Sequence, residues 1–370
     1  MNQLTGVSFS AMMIAYNDDL LTAIFIYLPP KSLIRFQLVC KHWLSLISGD
    51  YLSHQHTLHH RHRPKPEHPL LLSDKNHFYL HSNEKLVSYH FSPSLIELAV
   101  ASFSNGLFLL KHPNVKNLVE ECYIYNPTTK QSRNIVLNVH EKYTFVVGLN
   151  LAFDPSKSPH YKIICVRSAR RRSTSFLRCW WRFCQIEVYE SETNAWWIRG
   201  EPFWAPTDVD FNRGLYLNGC VHWAGMFFNI NDGIIGKHPK IEIPGGAMLE
   251  KYHHSYVESC GYLHYIKHFP ERNSIMVFKL DNDLLEWSLM YHIDLSGLSE
   301  LISVLDFVRG ESEEDSALVL HEPGKVMAYE LKEKKNRGLV DFRDEALYEE
   351  GHVQFVSEGT FRFVPTLARV

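Results

Sequence analysis

The hydrophobic pattern of the chain changes once, shortly after residue 60. Before that point, apolar side chains recur at the three- and four-residue spacing of helices, and Asp18–Asp19 stand where acidic residues favour the positive end of a helix. Pro29–Pro30 end this first helix, and proline is also favoured at the start of the next one. The pattern predicts three helices that end near Gly49, with apolar faces made of Leu20, Leu21, Ile24, Phe25, Leu28, Leu33, Phe36, Val39, Cys40 and Trp43.

The first predicted helix is apolar almost all the way round, because Ile26 and Tyr27 add to its apolar stripe. Such a helix must be covered on every side. A unit of roughly 40 residues buries too little of its own surface to be stable alone. The helices are therefore expected to need a partner, although they could instead belong to the core of a larger domain.

Residues 53–69 are rich in histidine and contain three prolines, with hardly any apolar side chain. This composition predicts a short ordered exit from the third helix and then an extended linker. The histidines are His54, His56, His59, His60 and His62. They could bind zinc, but no cysteine or acidic residue lies between His54 and His62 to complete a tetrahedral set, so a solvated linker is favoured. The predicted division is a helical domain over residues 14–52, the linker over 53–69 and a large domain over 70–370.

Beyond residue 70 the apolar runs become short and alternating, and Gly, Asn, Asp and Pro separate them, which is typical of strands joined by turns. One unit recurs, namely a strand, a polar turn and a second strand. The first strands of these units centre on Ile124, Val188, Phe228, Val277 and Met327, which lie 40 to 64 residues apart. This interval is close to the roughly 40 to 50 residues of a four-stranded propeller blade.

A strand pair precedes each unit, and a small residue marks its turn. Asn105–Gly106 and Asn218–Gly219 supply the dipeptide favoured in tight hairpins, since both positions tolerate a positive φ. A sixth unit could combine residues 353–356 and 361–364 with residues 70–72 and 78–80, which would close a ring. The predicted fold class is α+β multidomain, a small three-helix domain followed by an all-β propeller of about six blades, with a stack of two sheets as the alternative.

The composition argues against several classes of protein. The 370 residues include 38 basic and 41 acidic side chains, a net charge of −3, which produces no general attraction for nucleic acids or membranes. Seven cysteines without paired spacing do not form a disulfide pattern, so the cytoplasm or the nucleus is the expected location. No signal peptide is expected at the amino terminus, and no run is long and apolar enough to span a membrane.

The sequence lacks the motifs of common catalytic sites. It contains no Gly-x-Ser-x-Gly, no phosphate-binding glycine loop with lysine, no His-Glu-x-x-His and no Cys-x-x-Cys. Asp208 and Asp210 are a candidate pair of carboxylates, and they are expected to cap a turn. The chain is therefore predicted not to be an enzyme, and no cofactor or metal is expected.

The helical segment resembles an F-box of the plant type. Asp-Asp-Leu-Leu at 18–21, Leu-Pro-Pro-Lys-Ser-Leu at 28–33 and Val-Cys-Lys-x-Trp at 39–43 carry the resemblance. It implies docking onto the Skp-type adaptor of a cullin-based ubiquitin ligase. The implied contact residues are Leu20, Leu21, Ile24, Phe25, Leu28, Pro30, Leu33, Val39, Cys40 and Trp43. Tyr16–Asn17 replace the Leu-Pro that the family usually has before the acidic pair, so adaptor binding weaker than typical is expected.

The β region resembles the F-box-associated, kelch-like domain of plant F-box proteins. Ser-Asn-Gly-Leu at 104–107, Tyr-Asn-Pro-Thr-Thr at 125–129, Leu-Ala-Phe-Asp-Pro at 151–155 and Leu-Asn-Gly-x-Val-His-Trp at 217–223 carry this resemblance. It implies that the β domain binds a target protein while the helices bind the adaptor. The expected function is that of a substrate-recognition subunit of a Skp–cullin–F-box ubiquitin ligase.

Two features of the β region are candidates for target binding. Basic residues form one of them, Arg167 with Arg170, Arg171 and Arg172, which could attract an acidic or phosphorylated partner or could be an ordinary surface insertion. Aromatic residues form the other, Trp180, Trp181, Trp196, Trp197, Phe203 and Trp204. Most of these rings are expected to pack between blades, with Phe203 and Trp204 exposed in a loop.

Two other functions stay open at this point. A propeller enzyme acting on a carbohydrate would need acidic or histidine side chains that converge at one end of the channel. A glycan-binding receptor would use the tryptophan-rich segments instead. Neither the target nor its recognition signal follows from the sequence.

Overall fold

The structure is a computed structural model, and the residues that it describes form four helices followed by a domain of β-strands. It describes residue 14 and residues 16–61, 70–74, 77–82, 85–89, 98–112, 121–138, 142–143, 145–169, 181–241, 254–281, 286–296, 298, 302–310, 315–322, 325–341, 360–362 and 365–370. The helices are α1 (Asp18–Phe25), α2 (Pro30–Phe36), α3 (Lys41–Ile47) and α4 (Asp50–Arg61). Within these ranges no helix has the length and apolar character needed to cross a membrane.

Helix α4 corrects the predicted start of the linker. Residues 53–61 were assigned to the linker but continue the helix that begins at Asp50. Leu52 is buried, and Nε2 of His56 lies 2.8 Å from the carbonyl oxygen of Leu28. The sequence contains no proline between Asp50 and Pro64, so nothing in the backbone chemistry opposes a helix there. The histidine-rich composition was wrongly taken as a sign of solvation, and the remainder of the predicted linker, 62–69, lies outside the described residues.

The strands form six sheets of four antiparallel strands each in the described part of the chain. The first sheet contains β1 (Leu70–Asp74), β2 (His77–Ser82), β3 (Lys85–Tyr89) and β24 (Thr360–Arg362). The second contains β4 (Ala99–Ser104), β5 (Leu107–Lys111), β6 (Glu121–Asn126) and β7 (Gln131–Val136), and the third contains β8 (Phe145–Ala152), β9 (Lys162–Ser168), β10 (Trp181–Glu190) and β11 (Ala195–Pro206).

The remaining three sheets follow in chain order. The fourth contains β12 (Leu215–Leu217), β13 (Cys220–Trp223), β14 (Met226–Asn229) and β15 (Ile234–Lys237). The fifth contains β16 (His254–Ser259), β17 (Tyr262–Phe269), β18 (Ser274–Asp281) and β19 (Glu286–Asp294), and the sixth contains β20 (Ser303–Val308), β21 (Ala317–Glu322), β22 (Lys325–Glu330) and β23 (Lys335–Asp341).

The sheets are arranged radially, as in a β-propeller, so the predicted fold class is confirmed. The first strands of successive sheets contact one another, β4 with β8, β8 with β12, β12 with β16 and β16 with β20. These strands therefore lie toward the axis, and the last strand of each sheet lies at the outside. Buried apolar side chains fill the spaces between neighbouring sheets, for example between the second and third and between the third and fourth.

Strands from distant parts of the chain complete the first sheet. Strand β24 pairs with β1 in antiparallel register, with Phe361 opposite Leu71. The prediction that residues near 361–364 join those near 70–72 and 78–80 is thereby confirmed for the described strands, whereas residues 353–356 lie outside the described ranges. Pairing of this kind covers a strand edge that would otherwise be exposed.

The predicted hairpin turns are present where the first two strands of a sheet meet. Asn105 and Gly106 have φ values of 43° and 90°, and Asn218 and Gly219 have values of 50° and 84°. Both turns lie at the same end of their sheets, because the strands run in the same order in each blade. This end also carries the β8–β9 connection, since Oγ of Ser104 donates a hydrogen bond to the carbonyl of Phe153 at 2.9 Å. We call it the proximal face of the propeller and the opposite end the distal face.

Candidate functional site

Helix α1 begins with a side-chain cap and acidic residues in its first turn. Oδ1 of Asn17 accepts a hydrogen bond from the backbone N–H of Leu20 at 2.9 Å, so Asn17 and not the acidic pair is the N-cap. Asp18 and Asp19 occupy the first turn, where negative charge favours the helix dipole. Nε2 of His42 lies 3.0 Å from Asp18, which connects the start of α1 to α3. Asn17 therefore has a local role of its own in place of the proline that the family usually has there.

Six apolar side chains form the core of the helical unit, and one of them comes from the far end of the chain. They are Leu21, Phe25, Leu33, Ile47, Leu52 and Leu367. The Trp43 ring packs on the edge of Phe25 with a centroid distance of 5.1 Å. Burial of Leu21, Phe25 and Leu33 to 0–2% exposure leaves no surface for a partner, which corrects their assignment as adaptor contacts. Their sequence pattern predicted burial but could not tell burial within the unit from burial against another protein.

A second set of apolar side chains on the helices is exposed. Leu20 and Ile24 lie one turn apart on α1 and are 48% and 47% exposed, and Val39 is 60% exposed beside the exposed Cys40. Leu38 is 87% exposed and was missed by the sequence reasoning. The full set of exposed apolar residues on or between the helices is Leu20, Ile24, Tyr27, Leu38, Val39, Leu44 and Tyr51. We call Leu20, Ile24, Leu38, Val39 and Leu44 the exposed helical surface.

The other predicted adaptor contacts have intermediate exposure. Leu28, Pro30 and Trp43 are half-buried and border the helical core. Each of them is next in sequence to an exposed residue, so they add to the rim of the exposed helical surface. Large apolar side chains that form one exposed patch mark interaction sites in soluble proteins.

The histidines of α4 pack against the helical unit. Rings of His59 and Tyr27 lie 4.4 Å apart, and those of His56 and His60 lie 4.2 Å apart. Among the described residues no group of three or more His, Cys, Asp or Glu side chains is placed to hold a metal ion. His62 lies outside the described residues.

The helical unit is attached to the proximal face of the propeller. Nε2 of His54 lies 3.0 Å from the carbonyl of Ser156 in the β8–β9 connection. Leu367 lies in the helical core, and the adjacent Ala368 lies in the core between the second and third sheets. The side-chain amide of Asn126 donates hydrogen bonds to the carbonyls of Thr366 and Ala368 at 3.1 and 2.7 Å. Residues 365–370 therefore hold the helices and the propeller together.

The predicted target-binding residues fall into two groups. Arg170, Arg171 and Arg172 lie outside the described residues. Phe203 and Trp204 were expected in a loop, but they belong to the outer strand β11, in which Phe203 is half-buried against Phe211. Trp204 is 61% exposed at the distal end of this strand. The strand continues to Pro206, so it includes the segment that was expected to be a loop.

Of the other predicted recognition residues, some are packed inside the propeller and others are exposed. Trp196 packs between blades, since its Nε1–H donates to the carbonyl of Val136 in the second sheet at 2.9 Å. Trp181 and Trp197 are 46% and 49% exposed. Trp180 lies outside the described residues. Arg167 lies in β9 rather than in a loop, with only 3% of its side chain exposed.

Several ionisable side chains of the propeller are buried and pack against neighbouring side chains. Nε of Arg167 lies 3.3 Å from Oε2 of Glu187. Removing one partner of such a buried ion pair strongly destabilises the folded protein, because the other charge is left buried without a partner. His222 and His238 stack with 3.3 Å between ring nitrogens, and burial lowers the pKa of each to about 4. Both rings are therefore neutral near pH 7. Asp210 caps a turn as predicted, because its Oδ1 accepts from the backbone N–H of Asn212 at 3.0 Å.

Comparison with known proteins gives two family matches along this chain. Residues 18–59 match the model of an F-box-like domain, and residues 75–233 match that of an F-box associated beta propeller domain. An F-box protein of Arabidopsis thaliana is 29% identical over an alignment that covers 98% of this chain and 94% of the relative. A putative F-box protein of the same plant is 24% identical, with 76% of this chain and 71% of that protein covered.

A distant likeness to solved structures is found as well. Oligogalacturonate lyase from Vibrio parahaemolyticus aligns with a TM-score of 0.43 and 12% identity, covering 79% of this chain and 84% of the lyase. At this level of similarity the lyase carries no argument about the present chain.

Proposed function

Because the chain belongs to the F-box proteins that carry an F-box-associated β-propeller domain, we propose that it is the substrate receptor of a Skp–cullin–F-box ubiquitin ligase. The helical unit binds the Skp-type adaptor and, through it, the cullin. The propeller binds the protein that is to be ubiquitinated. The receptor itself performs no covalent step, and it acts in the cytoplasm or the nucleus.

The exposed helical surface is the observation that carries this proposal. Leu20, Ile24, Leu38, Val39 and Leu44 are each between 45% and 87% exposed, although the propeller is attached to the same unit. A partner protein that covers them removes apolar surface from water, with a gain of about 25 cal/mol per Å² before the cost of association. Leu28, Pro30 and Trp43 contribute the border of this contact.

Target presentation follows from the position of the helices. They are attached to the proximal face, so an adaptor bound to them leaves the distal face accessible. A target held on the propeller and a ligase held on the helices are then joined in one complex. This converts the encounter between them into an intramolecular event with a high effective concentration.

A double substitution on α1 tests adaptor binding. Leu20→Asp with Ile24→Asp replaces two apolar side chains, each about half exposed, by carboxylates. The fold is therefore retained while the apolar contact with the adaptor is lost. We expect pull-down of a purified Skp-type adaptor to be abolished. Thermal unfolding of the variant should resemble that of the unchanged protein.

Matched substitutions on the propeller provide the control. Val136→Asp with Ile198→Asp changes two side chains that are 70% and 63% exposed on the outer strands β7 and β11 of the propeller. This variant should bind the adaptor as the unchanged protein does. Adaptor binding that survives in the α1 variant, or that is lost equally in both variants, would overturn the proposal.

A further inference from the structure

A tyrosine stands just before the first helix and is largely exposed. Tyr16 occupies the position at which plant F-boxes usually have leucine, and Asn17 replaces the proline that usually follows. The N-cap role of Asn17 accounts for the second replacement. It does not account for the first, because 68% of Tyr16 is exposed and its side chain takes no part in the cap.

Hydrogen bonds hold the backbone on the carboxyl side of Tyr16. The N–H of Asn17 donates to the carbonyl oxygen of Ile14 at 3.3 Å, which closes a turn around Tyr16. Oδ1 of Asn17 in turn accepts from the N–H of Leu20 at 2.9 Å, which joins this turn to α1. Tyr16 therefore has a defined place at the start of α1, although it precedes the helix.

The ring of Tyr16 packs on a histidine of another helix. The ring centroids of Tyr16 and His42 lie 5.8 Å apart, with an angle of 31° between the ring planes. Nε2 of His42 also lies 3.0 Å from Oδ1 of Asp18, so the histidine contacts both the tyrosine and the first turn of α1. A side chain that is already restricted in this way loses less conformational freedom when a partner covers it.

This ring lies at the same end of α3 as two members of the exposed helical surface. His42 belongs to the first turn of α3, and Cys40 is the N-cap of that helix. Leu38 and Val39 come directly before the cap and are 87% and 60% exposed. A partner that covers the start of α3 would therefore meet Tyr16 as well.

We propose that Tyr16 is a specificity-determining residue of the adaptor contact and that its ring enters an apolar pocket of the Skp-type adaptor. This inference rests on the proposed function, because it assigns a further residue to the same interface. The adaptor is the partner, rather than the target, because Tyr16 belongs to the helical unit and lies beside the start of α3. The pocket must admit an aromatic ring where most receptors of the family present leucine. His42 acts as a positioning residue that orients this ring.

Affinity measurements with the full-length chain and a purified Skp-type adaptor test the assignment. Tyr16→Ala should raise the dissociation constant about fivefold or more, since aromatic anchors are frequent hot spots of interfaces. Tyr16→Phe keeps the ring and should bind within about twofold of the unchanged protein. Tyr16→Leu restores the residue usual in the family and should bind less tightly than Tyr16→Phe, because leucine has no ring to stack on His42. A loss in Tyr16→Phe as large as that in Tyr16→Ala would overturn the role of the ring.

Tyr51→Ala is the matched control. Tyr51 is the same residue type in the same helical unit and is 67% exposed, but it lies in the first turn of α4. This variant should bind the adaptor within about twofold of the unchanged protein. Equal losses in Tyr16→Ala and Tyr51→Ala would overturn the inference.

A photochemical cross-link locates the contact without relying on stability. The amino acid p-benzoylphenylalanine is incorporated in place of Tyr16 or, in a second protein, in place of Tyr51, and each protein is irradiated with the adaptor. We expect a cross-linked product with the adaptor from position 16 and none from position 51. The absence of a product at position 16, or equal yields at both positions, would contradict the proposed contact.

A double-mutant cycle tests the positioning role of His42. His42→Ala should weaken adaptor binding when Tyr16 is present and should add little to the loss in Tyr16→Ala, because side chains in contact do not act independently. Additive losses would show that His42 does not act through Tyr16.

The outcomes separate this inference from the proposed function. If the unchanged protein does not bind the adaptor, both fail. If it binds, and Leu20→Asp with Ile24→Asp abolishes binding while Tyr16→Ala has no effect and position 16 gives no cross-link, only the inference fails.

Discussion

Leu20 and Leu21 are identical side chains at neighbouring positions, yet they have opposite roles. Leu21 is 2% exposed in the helical core, whereas Leu20 is 48% exposed one position earlier on α1. A helix turns by about 100° per residue, so adjacent residues face different surroundings. The apolar pattern predicted that both positions matter but grouped them into one contact face. The direction of a side chain therefore says more about whether it is buried or exposed than the identity of the residue does.

Alanine substitution at these two positions should separate stability from binding. Leu21→Ala removes a fully buried side chain and should lower the free energy of unfolding by about 2–5 kcal/mol. Leu20→Ala should change it by less than about 1 kcal/mol and weaken adaptor binding instead. Denaturant unfolding and adaptor titration measure the two effects. Equal loss of stability in both variants would contradict the division between core and exposed helical surface.

The blade is the repeating element of the propeller, and its turns recur at the same place in several blades. This recurrence is why the repeated strand-and-turn pattern could be recognised in the sequence. The connections between the last two strands of the second, third and sixth sheets have a residue with positive φ at the same place, Lys130, Asn194 and Lys334. Gly233 has φ of 69° at the corresponding place of the fourth sheet. Regular alternation and local turn chemistry therefore predicted the strands and the hairpins. The length of β11 and the helical state of residues 53–61 were not predicted, because both depend on packing against other elements.

Glycines where two blades approach each other provide a test at the scale of elements. A Cβ on Gly200 of β11 would collide with the backbone carbonyl oxygen of Gly233, and its φ is 70°. Gly225 has a similar φ of 74°, but a Cβ there meets no atom within 4 Å. Gly225→Ala should therefore cost only the backbone strain, about 1 kcal/mol, whereas Gly200→Ala should cost that amount plus the displacement of the two strands.

Thermal unfolding of the two glycine variants measures this difference. We expect a clearly lower midpoint for Gly200→Ala than for Gly225→Ala. Equal midpoints would mean that the third and fourth sheets do not approach each other as closely as the structure has them.

At the scale of the whole molecule, residues 365–370 decide how the helices sit on the propeller. Leu367 belongs to the helical core although more than 300 residues separate it from the helices in sequence. The backbone N–H of Thr366 donates to Oγ1 of Thr128 at 3.2 Å, and Asn126 binds the carbonyls on both sides of Leu367. Under the proposed function, fixing the two parts in this way holds the target at a defined distance from the ligase.

Substitution of Leu367 tests this attachment. Leu367→Asp buries an unpaired carboxylate among apolar side chains and should destabilise the attachment by about 3 kcal/mol or more. We expect a larger radius of gyration by small-angle X-ray scattering and easier proteolytic release of the helices. Arg369→Asp is the matched control, because Arg369 is exposed in the same segment and should tolerate a carboxylate. An unchanged radius and proteolysis pattern in Leu367→Asp would contradict the attachment.

The sequence by itself determined the local states of the chain. Helical spacing between Asp18 and Gly49, alternation in the strands and the Asn-Gly turns each depend on residues that are close together, so they could be recognised without the fold. The pairing of the strand near Phe361 with that near Leu71 could also be anticipated, because a ring of sheets needs its ends joined. Only the tertiary structure decided that Leu21 is buried and Leu20 exposed, and that Leu367 enters the helical core. Burial depends on contacts between residues far apart in the chain, and no local pattern contains them.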